Sequence, residues 1–268
     1  MSDETAPVNT TGSPVNTTGS PVQVTGSPVD ATGSPRSGQQ QKASIRELFT
    51  RIASHYDVVN RVLAVGQDQR WRRVALAYAD LSRGGRLLDV ATGTGDLALL
   101  ARELEDVTVI GTDLTYVMLA RAQRKAAMRA TDASLPWVVS DGLALAFPDE
   151  AFDAVTSAFM MRNVPDVAQA FREQLRVVKP GGKVVCLEIT WPQTFPMRWL
   201  FGLYFFGLPP LLGRLMVGEH EPYRYLPRSV QRFLQPAALA EVMVQAGLRD
   251  VVWRTMMLGT VAVHVGTR

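Results

Sequence analysis

The residues best placed to do chemistry form one short run from Asp89 to Asp96, which reads Asp-Val-Ala-Thr-Gly-Thr-Gly-Asp. The run follows the apolar pair Leu87 and Leu88, as expected where a buried strand ends in a glycine turn that opens a helix. Gly93 and Gly95 let a backbone approach a ligand closely, and the start of the next helix leaves backbone N–H groups unpaired. The run therefore predicts a binding site for a nucleotide-like cofactor.

Two kinds of cofactor are compatible with this turn. Residues 93–98 also fit the dinucleotide-binding pattern with alanine in third place, and Asp113 follows at the expected separation of about 20 residues. Asp89 distinguishes the two, because a carboxylate at the strand end attracts a cationic amino group or sulfonium and repels a pyrophosphate. The run favours a cationic nucleoside but leaves a dinucleotide open.

Composition predicts one catalytic domain behind a disordered tail. The chain has 268 residues, of which 47% are hydrophobic and 20% are charged, enough for one large core. Residues 1–42 carry a Thr-Gly-Ser-Pro repeat with a period of seven, whose glycine, proline and few apolar side chains predict disorder. We assign residues 43–268 to the folded domain.

Charge and cysteine content limit the partners and the compartment. A net charge of +3 is a mild bias and not the basic stripe that binds nucleic acid. The N-terminal segment has neither the basic start nor the apolar core of a secretory signal. Cys186 is the only cysteine and lies in the apolar run 184–189. We therefore expect a cytoplasmic protein whose cysteine is reduced and buried.

Beyond the tail, strand-like and helix-like segments alternate, which is typical of a parallel sheet covered by helices on both faces. The predicted strands are 86–90, 107–112, 136–139, 152–158 and 183–189, followed by an antiparallel hairpin of 249–257 and 258–266. The predicted helices are 96–104, 115–129, 166–178 and 236–246. The sequence thus predicts an α/β fold with a doubly wound, mostly parallel, seven-stranded Rossmann-like sheet.

Candidate binding residues follow the strands in a regular order. Asp113 ends the second strand, Asp141 and Gly142 follow the third, and Lys179-Pro-Gly-Gly182 precedes the fifth. Together with the glycine turn, this order resembles the class I S-adenosylmethionine-dependent methyltransferases. In such folds the ligand lies outside the carboxyl ends of the strands. The resemblance therefore implies S-adenosylmethionine as the cofactor.

The same resemblance implies a role for each residue, beside a simpler alternative. Asp113 would accept hydrogen bonds from the ribose hydroxyls, or else cap the next helix. Asp141 and Gly142 would meet the adenine amino group and ring edge, or else form a plain Asp-Gly turn. Gly93 and Thr94, with the neighbouring Gly95, would contact the methionine portion, or else only close the turn.

Four separated stretches carry a closer resemblance. They are Tyr56-Asp-Val-Val-Asn60, 152–164 with its Arg162-Asn163-Val164 end, 175–192, and Tyr223-Arg-Tyr-Leu-Pro-Arg-Ser229. They resemble the ubiquinone/menaquinone biosynthesis C-methyltransferases over about residues 45–268. The sequence departs from the family pattern at several positions, where Ala91 replaces a glycine, Asp68 replaces the usual histidine, and Ala158 replaces a common serine close to the cofactor.

The resemblance implies methyl transfer to a ring carbon of a reduced isoprenoid quinone, with demethylmenaquinol as the first candidate. A benzoquinol or another small acceptor is the alternative. Ring carbon is a poor nucleophile until a hydroxyl ionises, so a nearby cation should stabilise the phenolate. Arg162, Asn163 and Tyr56 are the candidate catalytic residues, although Arg162 could instead pair with Asp166 at the surface. An NAD-dependent oxidoreductase and a non-catalytic scaffold are rival functions.

Residues 191–218 are rich in aromatic side chains but are interrupted by Arg198, Pro209, Pro210 and Arg214. An unbroken span of about 20 residues is needed to cross a bilayer, so we expect an apolar lid or interfacial element. It would serve peripheral membrane contact or, equally, a homodimer contact.

The chain has three histidines, His55, His220 and His264, and they do not form a cluster in sequence. We therefore predict no metal site, and we expect His264 to face outward from its strand.

Overall fold

The computed structural model describes residues 37–81, 84–129, 135–216 and 221–268. Its strands are β1 (Arg86–Val90), β2 (Thr108–Asp113), β3 (Trp137–Val139), β4 (Phe152–Ala158), β5 (Val178–Ile189), β6 (Arg249–Met256) and β7 (Val261–Thr267). They form one seven-stranded sheet in the order β3-β2-β1-β4-β5-β7-β6. Strands β1 to β5 pair in parallel, whereas β7 is antiparallel to both β5 and β6. The predicted doubly wound sheet with an antiparallel end is confirmed.

Helices cover both faces of this sheet and extend beyond it. They are α1 (Gly38–Ile52), α2 (Tyr56–Leu63), α3 (Asp68–Ala79), α4 (Asp96–Ala101), α5 (Tyr116–Met128), α6 (Val167–Val177), α7 (Met197–Met216), α8 (Glu221–Arg232) and α9 (Pro236–Gln245). The four helices predicted with bounds correspond to α4, α5, α6 and α9. The chain thus adds helices before and after the alternating core, and these build part of the site.

Helix α1 begins inside the segment that the sequence assigned to a disordered tail. Ser37 caps it: the Gln40 N–H donates to the Ser37 hydroxyl, and the Ser37 N–H donates to the Gln40 side chain. This reciprocal pair satisfies N–H groups that a helix start leaves open. The predicted boundary after residue 42 is therefore wrong, since residues 38–42 are helical. Residues 1–36 of the predicted tail lie outside the described residues.

The central strands are buried on both faces, as parallel strands between two helical layers should be. One face packs against α3 and α4 through Leu87, Val109, Ala154, Val185, Trp71 and Leu97. The other packs against α6 and α9 through Leu88, Val155, Val184, Cys186, Phe171 and Met243. Cys186 is buried and free, as predicted. This core fixes the carboxyl ends of β1, β2, β3 and β4 along one edge of the sheet.

His264 is fully buried between β5 and β6, so the prediction that it faces outward is wrong. Its Nε2 lies 2.9 Å from the Pro236 carbonyl oxygen. Burial lowers the pKa of His264 to about 4. Strand β7 packs between α3 on one face and α9 on the other, and these helices bury both of its faces.

The chain between β5 and β6 leaves the sheet and forms a separate cluster of Trp191, Phe205 and Val230. Helix α7 also turns apolar side chains outward, including Trp199 and Leu203, which are 60% and 59% exposed. Among the described residues, no helix is long and apolar enough to cross a membrane. Residues 191–216 therefore form a surface element with a partly apolar outer face.

Candidate active site

The glycine turn after β1 is held in an unusual backbone conformation. Ala91, Gly93 and Gly95 have φ values of 54°, 57° and 83°. A positive φ costs a residue with a Cβ roughly 1–2 kcal/mol. A glycine would therefore fit position 91 with less strain than Ala91 does. The backbone N–H of Thr92 donates to the Thr112 carbonyl oxygen at 2.9 Å and ties the turn to β2.

Asp89 supports this turn from behind. Its two carboxylate oxygens accept hydrogen bonds from the hydroxyls of Thr92 at 2.6 Å and Thr156 at 2.9 Å. Burial raises the pKa of Asp89 to about 6, against the lowering influence of these hydrogen bonds. Asp89 does not belong to the wall of either cavity described below. Asp89 therefore holds the turn in place, and its contact with a cationic cofactor stays a prediction.

Thr94 and Gly95 also face the protein and not the ligand cavity. The Thr94 hydroxyl donates to Asp57 and accepts from Lys125 at 3.0 Å. A Cβ added to Gly95 would lie 2.6 Å from the Trp137 ring, so glycine is required for packing. The turn therefore contributes Gly93 to the cavity, while its neighbours anchor it.

Buried charges behind the turn form a continuous network. Lys125 Nζ lies 2.6 Å from Asp57 and 2.8 Å from Asp96, and Asp96 lies 3.8 Å from Arg72. Burial alone would raise the pKa of Asp96, but Arg72 and Lys125 outweigh it and hold that pKa below its usual value. The network joins α2, α3 and α5 to the start of α4.

A cavity of about 710 Å³, which we call the cofactor cavity, opens at the carboxyl ends of the strands. The predicted residues that line it are Gly93, Asp113, Asp141, Gly142, Ala158, Asn163 and Tyr56. The Asp113 carboxylate accepts from the backbone N–H groups of Gly93 at 3.0 Å and Thr115 at 2.8 Å. Burial raises the pKa of Asp113, although both hydrogen bonds oppose the rise. Asp113 thus stands at the cavity wall with its orientation fixed.

Asp141 and Gly142 form the wall next to β3. Asp141 accepts from the backbone N–H of Leu143 at 2.9 Å, which is the local turn considered above, and its other oxygen lies 2.5 Å from Lys42 Nζ. A Cβ on Gly142 would lie 2.2 Å from the Met160 methyl group. Asp141 is thus both a turn residue and a cavity residue.

Helix α1 forms a wall of the cofactor cavity that sequence reasoning missed. Lys42, Ile45 and Phe49 line it. Lys42 fell in the predicted tail, and its partner Asp141 is 99 residues away, so no local pattern could reveal the contact. The capping signature of Ser37 and Gln40 was the available signal for this helix.

A second cavity of about 1120 Å³, the apolar cavity, lies beside the first. Its walls come from α2, α3, α7, α8 and the turn between β6 and β7, with side chains that include Leu63, Trp71, Ile189, Phe201, Phe205, Leu226 and Leu258. Tyr56 and Phe159 line both cavities. Burial raises the pKa of Tyr56, with Arg162 and Arg72 acting against it. The two cavities thus meet at a neutral phenol and an aromatic ring.

Arg162 lines the apolar cavity and forms an ion pair with the buried Glu188. Its Nη1 donates to Glu188 at 2.7 Å, and Glu188 also accepts from the Met161 N–H at 2.6 Å. Burial raises the pKa of Glu188, against the lowering influence of Arg162. The alternative surface pair with Asp166 is wrong, because Asp166 caps α6 instead. The sequence signal for Glu188 was a lone carboxylate inside the apolar run 184–189.

Asn163 faces the cofactor cavity and not the apolar cavity. Its side-chain amide donates to the Phe159 carbonyl oxygen at 3.0 Å, and its side-chain oxygen accepts from the Tyr225 hydroxyl at 3.0 Å. The structure therefore brings Tyr56 and Arg162 to the apolar cavity, while Asn163 ties Phe159 to α8.

Asp68 lies at the start of α3, where it lines the apolar cavity and is only 5% exposed. Its Oδ2 accepts from Arg72 at 2.9 Å and from Gln69 at 3.2 Å. Within the described part of the chain, its Oδ1 has no hydrogen-bond partner. Among the same residues, no group of three or more His, Cys, Asp or Glu side chains could hold a metal ion.

The residues of the cofactor cavity fit S-adenosylmethionine. A Cβ on Gly93 would meet no atom closer than 4.0 Å, so the turn leaves open space at the end of β1, and Asp113 presents an oriented carboxylate at the end of β2. The fold and this site define an S-adenosylmethionine-dependent methyltransferase of class I, and S-adenosylmethionine is its cofactor. The chain belongs to the ubiE/COQ5 methyltransferase family, whose model matches residues 37–268.

Three relatives illustrate the likeness. Demethylmenaquinone methyltransferase of Roseiflexus castenholzii is 42% identical over 231 residues, 85% of this chain and 95% of the relative. The protein of the same name from Thermus thermophilus is 44% identical over 222 residues, 82% of this chain and all of the relative. The ubiquinone/menaquinone biosynthesis C-methyltransferase UbiE of Desulfotalea psychrophila is 39% identical over 226 residues, 84% of this chain and 90% of the relative.

Solved structures share the fold at lower identity. The [4+2]-cyclase SpnF is 18% identical with a TM-score of 0.64, covering 87% of this chain and 97% of SpnF. Phosphoethanolamine N-methyltransferase 2 of Haemonchus contortus, in complex with S-adenosyl-L-methionine, is 16% identical with a TM-score of 0.57, covering 76% of this chain and 53% of that one. At such identities the likeness concerns the fold alone.

Proposed function

We propose that this methyltransferase transfers the methyl group of S-adenosylmethionine to a ring carbon of demethylmenaquinol, the last step in making menaquinone. One observation carries the proposal: the cofactor cavity shares Tyr56 and Phe159 with a larger apolar cavity that contains Arg162. An apolar cavity suits a naphthoquinol ring and an isoprenoid chain. The names of two relatives, demethylmenaquinone methyltransferases, support the same substrate.

The chemistry requires an activated ring carbon at the boundary of the cavities. When bound, S-adenosylmethionine supplies an electrophilic methyl group on a sulfonium. A quinol hydroxyl that ionises pushes electron density onto the adjacent ring carbon, and a fixed cation stabilises the phenolate. Arg162, 7% exposed and held by Glu188, is the cation at this wall. The protein then has to orient the ring carbon toward the methyl group.

Each residue of the cofactor cavity receives a role in this proposal. Asp113 accepts hydrogen bonds from the ribose hydroxyls, and Asp141 accepts from the adenine amino group while Gly142 passes the ring edge. Gly93 and Ala158 approach the methionine portion. Since a carboxylate has two oxygens and about four acceptor sites, Asp113 and Asp141 can keep their present partners and still accept from a ligand.

Two further residues act at the boundary. Tyr56 stays a neutral phenol, because burial raises its pKa, and can donate a hydrogen bond to the quinol. Asn163 is a positioning residue, since its side chain holds the Phe159 carbonyl oxygen and the Tyr225 hydroxyl. Asp89, Thr94 and Gly95 act through the turn that they support.

Membrane contact through α7 belongs to the same proposal. Trp199, Leu200, Leu203 and Phe206 share one helical face and are 44–60% exposed. Phe201, Tyr204 and Phe205 of the same helix line the apolar cavity. An apolar face next to the cavity suits transfer of an isoprenoid tail from a bilayer surface.

Vesicle flotation tests this contact. Leu203→Glu should reduce recovery with vesicles, whereas Met128→Glu, which charges another exposed apolar side chain at the end of α5, should not. If instead Leu203→Glu leaves flotation unchanged and converts a dimer to a monomer in analytical ultracentrifugation, the face is a homodimer contact.

The reaction is tested with purified full-length protein and methyl-labelled S-adenosylmethionine. Demethylmenaquinol kept reduced, and the corresponding benzoquinol in parallel, serve as acceptors, and mass spectrometry identifies any methylated product. We expect label in the naphthoquinol. Label in the benzoquinol alone would assign the protein to ubiquinone synthesis, which is also part of the name of the Desulfotalea relative. Cofactor binding without label in either would refute both.

A further inference from the structure

The proposed reaction needs a group that removes the hydroxyl proton, and none of the residues assigned so far can do so. Arg162 carries a guanidinium, which donates hydrogen bonds and accepts none. Burial raises the pKa of Tyr56, so its phenol stays protonated and is not available as a base. Both can donate hydrogen bonds at the apolar cavity, but a proton acceptor is still required there.

Asp68 has the features of such an acceptor. Its side chain is 5% exposed and belongs to the wall of the apolar cavity. Arg72 and Gln69 both donate to the same oxygen, Oδ2, whereas Oδ1 lacks a partner among the described residues. A buried carboxylate oxygen without a donor is unusual in a folded protein and calls for a ligand that donates to it.

Arg162 shows the complementary feature in the same cavity. Its Nε is buried and, within the described residues, is also without a hydrogen-bond partner. The guanidinium carbon of Arg72 lies 5.3 Å from the centre of the Phe159 ring, and that of Arg162 lies 5.7 Å from it. The two ion pairs therefore converge on Phe159, the ring shared with the cofactor cavity. Within the described residues, the Asp68–Arg72 pair offers an unpaired acceptor, Oδ1, and the Arg162–Glu188 pair offers an unpaired donor, Nε.

We infer that Asp68 is the general base of the reaction, an inference that rests on the proposed function. The quinol O–H bond breaks and its proton moves to Asp68, while the freed electron pair moves through the ring to the carbon that takes the methyl group. The electron pair of the S–CH₃ bond stays on sulfur. The methylated ring carbon then loses its own hydrogen to water as a proton, and the oxygen takes back the proton from Asp68.

Arg72 makes this role possible. Its guanidinium lies 2.9 Å from Oδ2 and fixes the orientation of the carboxylate. Among the described residues, the other charged or titratable groups that line this cavity, besides Arg72, are Arg162, Tyr56 and Tyr204, and Asp96 lies behind Arg72. The alternative is that Asp68 only positions Arg72 for its contact with Asp96 at the cofactor turn.

The dependence of kcat on pH separates these roles. Asp68→Asn should lower kcat by roughly 10²- to 10⁴-fold near neutral pH, the usual contribution of a general base. The loss should shrink as pH rises toward about 10, where a phenolic hydroxyl ionises unaided. The KM for S-adenosylmethionine should stay close to that of the natural protein. A purely structural Asp68 would lower kcat equally at every pH and raise this KM.

Asp68→His keeps the test valid if Asp68→Asn folds poorly. Histidine is itself a base, so kcat should recover with an acidic limb near pH 6.5, the usual pKa of imidazole. An unchanged acidic limb would overturn the inference. Asp149→Asn, which neutralises a carboxylate with a 71% exposed side chain, is the matched control and should leave the profile unchanged.

The unmutated protein separates this inference from the proposed function. If it methylates no quinol, the proposed function fails and the inference fails with it. If it methylates demethylmenaquinol and Asp68→Asn does so at the same rate and with the same pH profile, the inference alone is overturned.

Discussion

The cofactor cavity and the apolar cavity meet at Tyr56 and Phe159 but are built in different ways. The first lies at strand ends, and its carboxylates, Asp113 and Asp141, have partners on both oxygens. The second is built largely by helices outside the sheet, and two of its buried polar atoms, on Asp68 and Arg162, lack partners within the described residues. The carboxylates of the cofactor cavity are therefore already held by hydrogen bonds, whereas the apolar cavity has two buried polar atoms that a ligand could pair.

The largest expected effect tests the apolar half. Arg162→Met leaves Glu188 buried without its cation, and loss of one partner of a buried pair costs about 3–5 kcal/mol in the free energy of unfolding. It should also reduce kcat by roughly 10²- to 10³-fold, as for a lost phenolate-stabilising donor. Chemical denaturation and steady-state kinetics measure the two effects.

The double variant Arg162→Met with Glu188→Gln is the control for this substitution. A neutral amide can still accept from the Met161 N–H, so most of the lost stability should return while kcat stays low. Return of both stability and kcat would show that Arg162 serves folding alone.

The next prediction compares two glycines in the cofactor turn. Gly95→Ala should lower the free energy of unfolding by about 2–4 kcal/mol, because its Cβ would meet Trp137 at 2.6 Å at a φ of 83°. Gly93→Ala has no contact closer than 4.0 Å and should cost about 1 kcal/mol, but it should weaken cofactor binding at least tenfold. Thermal unfolding and calorimetric titration measure the pair. Equal losses in both quantities would contradict the division between a packing glycine and a cavity glycine.

A pH series on Asp89→Asn tests the support of the turn. The pKa of Asp89 is about 6 when folded and about 3.8 when unfolded, so between these values the folded state holds more protons. Its contribution to stability is therefore complete below pH 3.8 and is lost as pH rises through 6, by about 2–3 kcal/mol. The side chain of Asp89→Asn does not ionise, so the variant does not lose this stability. The stability difference between the natural protein and the variant should change over pH 4–6 and stay constant above it.

The contribution of His264 to stability changes with pH in the opposite direction to that of Asp89. The test therefore uses the difference in stability between the natural protein and Asp89→Asn. The pKa of His264, about 4, lies below the usual value of 6.5, so its contribution is present above pH 6.5 and is lost as pH falls toward 4. Both proteins contain His264, so its effect cancels. A difference that is flat from pH 4 to 6 would contradict the raised pKa of Asp89.

The smallest expected effect concerns the wall from α1. Lys42→Met removes an ion pair whose side chains are 31% and 29% exposed, and such pairs contribute at most about 1 kcal/mol. Cofactor affinity should change by less than about fivefold, since Asp141 becomes more available as the cation leaves. Calorimetric titration measures it, and a loss beyond tenfold would mean that Lys42 itself binds the cofactor.

The sequence predicted the cofactor half well because its signals are local. The glycine turn, Asp113 and Asp141 with Gly142 each follow a recognisable strand, and four of the predicted helices appear within a few residues of their bounds. Spacing placed Thr94 and Gly95 in the turn but did not reveal the hydrogen bonds and packing around them. These depend on Asp57 and Trp137, which are distant in sequence.

The apolar half was less predictable because its contacts are long-range. Arg162 was singled out, but its partner Glu188 lies on the next strand, 26 residues away. The cofactor half also contained one long-range contact that the sequence did not reveal, since Lys42 reaches Asp141 across 99 residues. The open oxygen of Asp68 is a property of packing, which no residue pattern encodes.

The shared wall makes binding in the two cavities interdependent. A ligand that shifts Tyr56 or Phe159 in one cavity reshapes the other, so cofactor and acceptor are thermodynamically linked. Linkage is reciprocal: whatever factor S-adenosylmethionine imposes on the dissociation constant of the acceptor, the acceptor imposes on that of S-adenosylmethionine. If loss of the methyl group from the cofactor shifts either side chain, the spent cofactor also changes the affinity for the methylated product.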